Sequence, residues 1–309
     1  MAALVCSALG TDKESLTGKL ISIEEHHGSD GNFVLNCLIA DQVQKDGGVC
    51  LLALHNTFGH YHNVGTKLGY NLQQLQDKGF VETIEILKLL NESMNSNSES
   101  NNRWLLLGKE DLIVKNIFLM IKEKIDKLLQ VRKLTSLVID DLSDLLCLGI
   151  PLKEILLFFQ YCRTLLESEH GVSLIVLTHI ADGDEEQRLL SASVAHVADI
   201  VVTICGLKTG RSNDVSGALK VHHKGWNDAV TVQEWNKQNF YHFKLLDRQV
   251  KTFAPDPVKR IRVLQPEGCR KVGRPKGRCI DGVNGDAKSL GIRNWWNRID
   301  GQTGVEEDS

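Results

Sequence analysis

Along most of the chain, short unbroken apolar runs alternate with stretches whose apolar positions recur every three or four residues. The runs predict strands near Leu20–Glu24, Val49–Leu54, Phe80–Ile86, Ser136–Asp140, Ser173–Thr178, Ile200–Cys205, Ala218–His223 and Tyr241–Leu246. LVIDDL and SLIVLTHI are the clearest, and apolar runs without polar alternation fit a parallel sheet covered on both faces. Between strands, Leu152, Ile155, Leu156, Phe159, Cys162 and Leu166 carry helical spacing, with Pro151 at the start, where its missing N–H costs nothing. Ile117, Ile121, Ile125 and Leu128 repeat that spacing on an earlier helix. Strands and helices in alternation with right-handed crossovers make an α/β fold, doubly wound, with a mostly parallel sheet and helices on both faces. The last strands follow one another closely around a turn at Gly210–Gly217, which predicts an antiparallel edge.

The pattern stops at Pro255-Asp256-Pro257, since two prolines in three residues oppose regular structure. Through residue 257 there are 25 Lys and Arg against 32 Asp and Glu, a net −7; from 258 onward there are 11 against 7, a net +4. The expected organisation is an α/β domain over 1–254 and a basic, largely unstructured tail over 255–309. Within the domain, NESMNSNSESNN at 91–102 reads as a disordered polar insert. A hydrophobic fraction of 42% excludes collagen-like and wholly disordered classes, and no run reaches the ~18 apolar residues of a membrane span. The opening MAALVCSALG lacks the basic leading region of a secretory signal, and none of the eight cysteines forms a Cys-x-x-Cys pair. A soluble chain with buried, reduced thiols is expected, in the cytoplasm and with the nucleus as a second compartment.

The candidate chemistry sits after the first strand, in ISIEEHHGSDGNFVLNCLIADQVQ, where a nucleotide-binding fold places its phosphate cradle. The working pattern G-x-x-x-x-G-K-[ST] uses lysine for the terminal phosphates and a hydroxyl for magnesium. With Gly31 as the second glycine, Asn32 falls at the lysine and Phe33 at the hydroxyl; with Gly28 as the second glycine, Ser29 and Asp30 fall there. Neither register supplies a lysine, and Glu24, Glu25 and Asp30 put carboxylates around the loop. Losing two charge-assisted contacts costs ~3–6 kcal/mol, roughly two to four decades of affinity or rate. Gly28, Asp30, Gly31 and Asn32 thus form a vestigial phosphate loop, and Asp140, beside Asp141 at the end of LVIDD, sits where a nucleotidase binds magnesium. Without a phosphate loop, an acidic cap on the next segment is the stronger reading of these two aspartates. No bound cofactor, catalytic residue or metal is expected: His179, Ser193 and His196 lack a nucleophile-elbow pattern, and His60-x-His62 lacks further ligands at metal spacing.

Taken in order, DGNFVLNCLI, FGHYHNVGTKLGYNL, LVIDDLSDLLCLG, SLIVLTHIADGDEEQRLL, CGLKTGRSNDVSGALKV and FYHFKLLDRQVKTFAP resemble the Elongator complex protein 6 family over roughly residues 10–254. The resemblance implies a RecA-like fold without consensus nucleotide motifs and a non-catalytic subunit. It also implies as partners the other two RecA-like Elongator subunits in an alternating hetero-hexameric ring, the catalytic Elongator subunits and tRNA, and no membrane. The resemblance further implies that the complex installs carboxymethyl-type groups at carbon 5 of the wobble uridine in tRNA. RecA-like rings turn loops toward a central opening; here Lys208 and Arg211 in GLKTGRSNDVSG suit phosphate contacts, and an ordinary solvated hairpin fits them equally. A RecA-like ATPase or recombinase with weak turnover is the alternative. The tail's GCRKVGRPKGRCIDGVNGDAKSLGIRNWWNRID is similar to the end of an insect retroelement reverse transcriptase. It reads either as a nucleic-acid-binding appendage or as transposon sequence joined to the locus.

Overall fold

A computed structural model of the chain describes residues 3–12, 15–95, 110–207, 212, 214–224 and 236–253. All of these fall within the unit Met1–Ala254, so the tail expected over 255–309 lies outside them. The strands are β1 (Leu20–His26), β2 (Gly48–Ala53), β3 (Val81–Glu85), β4 (Thr135–Asp140), β5 (Val172–Ile180), β6 (Ile200–Cys205), β7 (Gly217–Lys224), β8 (Asn236–Leu246) and β9 (Gln249–Phe253). They form one sheet in the order β3-β2-β4-β5-β1-β6-β7-β8-β9. Pairings from β3 through β6 are parallel, and those from β6 through β9 are antiparallel.

Helices α1 (Ala3–Leu9), α2 (Asn32–Gln44), α3 (Phe58–Leu68) and α4 (Leu72–Asp77) contribute to one core, with Val5, Leu35, Leu38, Tyr61 and Leu72 against Ile21, Ile23, Leu51 and Val138. Helices α6 (Glu110–Leu129), α8 (Leu152–Ser168) and α9 (Glu185–Val197) build the core on the other face. Between these lie α5 (Ile86–Asn95) and the short α7 (Asp144–Cys147). β2 and β4 are buried at every position, as their unbroken apolar runs require.

Three details differ from the sequence reading. The polar segment from Asn91 first continues α5 to Asn95, and residues 96–109 lie outside the described set. On α8 the fully buried residues are Ile155, Phe158, Phe159, Cys162 and Leu165, so the inward stripe is turned toward Phe158 and Leu165, leaving Leu152, Leu156 and Leu166 at its margin. A further strand, β9, completes a hairpin with β8. Of the thiols, Cys6, Cys37, Cys50 and Cys162 are buried, while Cys147 is exposed and Cys205 half-buried.

A buried carboxylate fastens the β3 edge. Glu82 accepts from Lys124 at 2.7 Å and also from Lys127, both on α6. Burial alone would raise its pKa, but the two ammonium groups outweigh burial and hold it below the usual carboxylate value.

The packing predicts a sharp contrast on α6. Ile121 is fully buried and Leu119 is half-exposed. Urea unfolding of Ile121→Ala should show a loss of about 2–5 kcal/mol, against about 0.5 kcal/mol or less for Leu119→Ala.

Candidate functional site

Parallel strands bring their C-terminal ends to one edge of the sheet, where α/β folds place their ligands. Here β1, β2, β4 and β5 deliver Glu25, His55, Asp140 with Asp141, and His179 to a common cavity of about 430 Å³. Five carboxyl groups line it, those of Glu25, Asp30, Asp140, Asp141 and Asp144, with the imidazoles of His55, His60 and His179; among the described residues no lysine or arginine does.

The loop from His27 to Gly31 has the outline of a phosphate cradle. Gly28 takes a left-handed φ of 77°, and α2 begins directly after Gly31. The amides at that helix start are already engaged. Gly31 N–H donates to Glu25 Oε2 at 2.6 Å, and Asn32 N–H donates to Asp30 Oδ1 at 3.0 Å. A Cβ at position 31 would stand 3.0 Å from the same Glu25 oxygen, a tight contact, so glycine leaves the carboxylate room to approach the backbone. The protein's own carboxylates thus occupy donors that a phosphate would use. Ser29 Oγ donates to the carbonyls of His26 and Ile204, tying the loop to β1 and β6.

Asn32, at the lysine position, is buried and faces inward. Its amide Nδ2 donates to Tyr61 Oη at 3.0 Å and approaches Asp140 Oδ1 at 3.5 Å, while its Oδ1 accepts from Asn36 at 2.7 Å. Asn56 donates to Asp140 Oδ2 through both its backbone N–H and its side-chain amide. Asp140 is fully buried, and its carboxyl is raised above the usual range by burial, which the hydrogen bonds from Tyr61 and Asn56 only partly oppose. The peptide between Asp140 and Asp141 is cis. Asp141 is pushed up to about 8, first by burial and then by the charges of Asp144, Asp140 and Glu25, against the hydrogen bond from Ser143 N–H. Burial likewise raises Glu25, whose Oε1 lies 3.2 Å from His179 Nδ1. His55 Nδ1 lies 2.9 Å from Asp144; burial pulls that imidazole down, and the carboxylate more than offsets it.

The structure therefore brings Gly28, Asp30, Gly31, Asn32 and Asp140 into one site. Lys208 and Arg211 lie outside the described residues. Glu25, Asn56 and Tyr61 gain roles that local motif reading does not assign; the sequence signal available for Glu25 was its place among the carboxylates next to the loop. His60 Nε2 lies 3.3 Å from Asn32 Oδ1, whereas His62 stacks on Phe58, so the His-x-His pair splits between two environments. Among the described residues, no group of three or more His, Cys, Asp or Glu side chains is arranged to hold a metal ion.

The sheet order, the strand–loop–helix at β1 and the aspartate ending β4 define a RecA-like α/β protein with an antiparallel extension. Solved structures agree in fold: a KaiC-like protein from Pyrococcus horikoshii matches with a TM-score of 0.51 at 12% identity, covering 77% of this chain and 90% of that one. An uncharacterized protein from the same archaeon, solved with an unknown peptide, matches with a TM-score of 0.52 at 11% identity, covering 77% and 93%. Residues 4–247 match the model of the Elongation complex protein 6 family, and the chain belongs to that family. Among curated relatives, Elongator complex protein 6 of Xenopus laevis is 29% identical over 255 residues, covering 80% of this chain and 95% of the relative. The Drosophila melanogaster protein is 26% identical (84% and 98% covered), and the human protein 28% (73% and 86%).

Asp141 gives the site a titration signature. Its folded value near 8 stands above the ordinary 3.8, so the folded state holds a proton that the unfolded state releases, and this contribution to stability is lost as pH rises from about 4 to about 8. Thermal melts of Asp141→Asn should show a shallower decline across that window than the parent chain, by at most about 1.4 kcal/mol per pH unit.

Proposed function

We propose that this chain is a non-catalytic RecA-like subunit of Elongator that supports wobble-uridine modification of tRNA. It acts with two other RecA-like subunits, in an alternating hexameric ring that binds tRNA, and with the catalytic subunits elsewhere in the complex. Family membership supports the assembly. The observation that carries the non-catalytic role is the hydrogen bond from Gly31 N–H to the Glu25 carboxylate, inside a cavity that among the described residues is lined by five carboxyl groups and no Lys or Arg. Each of these groups that is ionised about 5 Å from a bound phosphate costs on the order of 3 kcal/mol at an effective dielectric of about 20. The occupied amides and that repulsion both oppose a triphosphate. No resident cofactor follows from this reading, and the protein works in the cytoplasm and the nucleus.

Two measurements test it. The purified chain should show no magnesium-dependent ATP hydrolysis above background; turnover abolished by Asp140→Asn would establish an ATPase instead. Affinity capture from native cells should return the other Elongator subunits, and their consistent absence would refute the assembly role.

Within the ring, Lys208 and Arg211 are proposed phosphate contacts. Replacing both with Ala should weaken tRNA binding by the assembled ring and reduce the slope of log affinity against log salt by about 1–2. An unchanged slope removes them from the site. The tail over 255–309 is proposed to be an appended retroelement segment outside the α/β domain.

A further inference from the structure

The carboxyl cavity is not the sheet's only recess. At the opposite end, where β1, β4 and β5 begin, the connection from α1 and the last turn of α2 meet the chain entering β4 and β5. Together they enclose a second cavity of about 300 Å³. Leu16 and Leu134 give it apolar walls.

Two buried polar groups on its lining have unused hydrogen-bonding capacity. Gln42 keeps only 6% of its surface exposed, yet its side-chain amide has no hydrogen-bond partner among the described residues. Ser173, 2% exposed, lies 2.7 Å from Ser136 through the two hydroxyl oxygens. The pair carries two hydroxyl hydrogens; one is used between them, and the other has no acceptor among the described residues. Buried polar groups are ordinarily paired, so a bare carboxamide facing a cavity points to something that enters it.

The nearby ammonium group is already engaged. Lys45 Nζ donates to Asp41 Oδ2 at 2.6 Å and to the carbonyl of Thr11 at 2.7 Å, which fastens the end of α2 to the connection before β1. Asp12 is exposed, on the outer part of the lining. An ionised ligand would have to shed its water against an amide and a hydroxyl that carry no counter-charge.

We infer that this second cavity binds a small uncharged molecule with an amide edge, an N–H beside a C=O, paired with Gln42 at both points. A carboxamide presents a donor and an acceptor in one plane, so its complement is another edge of the same kind, as in the two-point contacts glutamine makes with a base. The serine pair adds a donor for a carbonyl oxygen. The leucines suit the ring or stem that carries the edge, and the volume, at the small end for ligand pockets, suits a single substituted ring.

Ligand-observed saturation-transfer NMR on the full chain tests this with two probes, 2-pyridone for a ring lactam and benzamide for a carboxamide. At least one should bind with a Kd of about 1 mM or tighter, and the tighter one names the source of the edge. Its counterpart without the N–H, N-methyl-2-pyridone or N,N-dimethylbenzamide, should bind about tenfold more weakly or worse. Gln42→Met keeps the side-chain length and removes both hydrogen-bonding atoms. It should weaken the same probe by about tenfold or more, and it should melt at or above the parent's temperature because no internal partner is lost. If Gln42→Met does not fold, a diazirine analogue of the bound probe replaces it, and photolabelling of the parent chain should mark peptides that contain Leu16 or Leu134. Absence of binding by either probe at about 10 mM would overturn the inference. Equal binding of the methylated compounds, unchanged affinity in Gln42→Met, or labels confined to peptides outside the cavity would do the same. Benzoate binding as tightly as benzamide would also overturn it, because the site would then be reading charge.

Discussion

The contact between the Glu25 carboxylate and the amide of Gly31, at 2.6 Å, organises the end of the sheet where chemistry would be expected. A helix start offers unsatisfied N–H groups and a partial positive charge, and something negative must answer them. In a phosphate loop that something is the ligand. Here it is a side chain six residues upstream, permanently attached and therefore at a local concentration no free nucleotide matches. The consequences spread outward: a side chain at position 31 would crowd that carboxylate, Asp30 answers the next amide, and Asn32 turns inward toward Tyr61 and Asp140. The aspartate that would hold a metal is instead fixed by three neutral neighbours, Asn32, Asn56 and Tyr61.

Keeping these carboxylates together is costly, and the site distributes the cost. Asp140 and Asp141 are buried side by side, which favours their protonated forms. Glu25 and Asp144, nearer the mouth, are each paired with an imidazole. The links Asn32–Tyr61, Asn32–Asp140, Asn56–Asp140, His55–Asp144 and Glu25–His179 join elements far apart in sequence, so the network is also a clamp on the C-terminal edge of β1, β4 and β5.

Much of this was legible in the sequence, and the remainder was hidden for physical reasons. Eight of the strands announce themselves because strands buried on both faces must be apolar at consecutive positions, as in β2 and β4. β9 does not, since QVKTF has an exposed lysine at its centre and becomes a strand only by pairing with β8. The missing lysine at position 32 could be read from motif spacing alone. What replaced it could not, because the Asn32–Asp140 approach joins residues 108 apart, and the direction of Glu25 depends on how β1 twists against β5. On α8 the periodicity was correct and the phase was slightly off: Phe158 and Leu165 lie on the inward face because α6 and the sheet contact it from two sides.

The sheet also separates charge along its width. Carboxyl groups gather at the ends of β1 and β4, whereas none of the residues of β7, β8 and β9 is acidic. In a RecA-like ATPase the anion drives the machine from within the sheet's C-terminal edge. In this chain that edge is closed by internal hydrogen bonds, and the only described strands with a face left outside both cores are the ones added beyond β6.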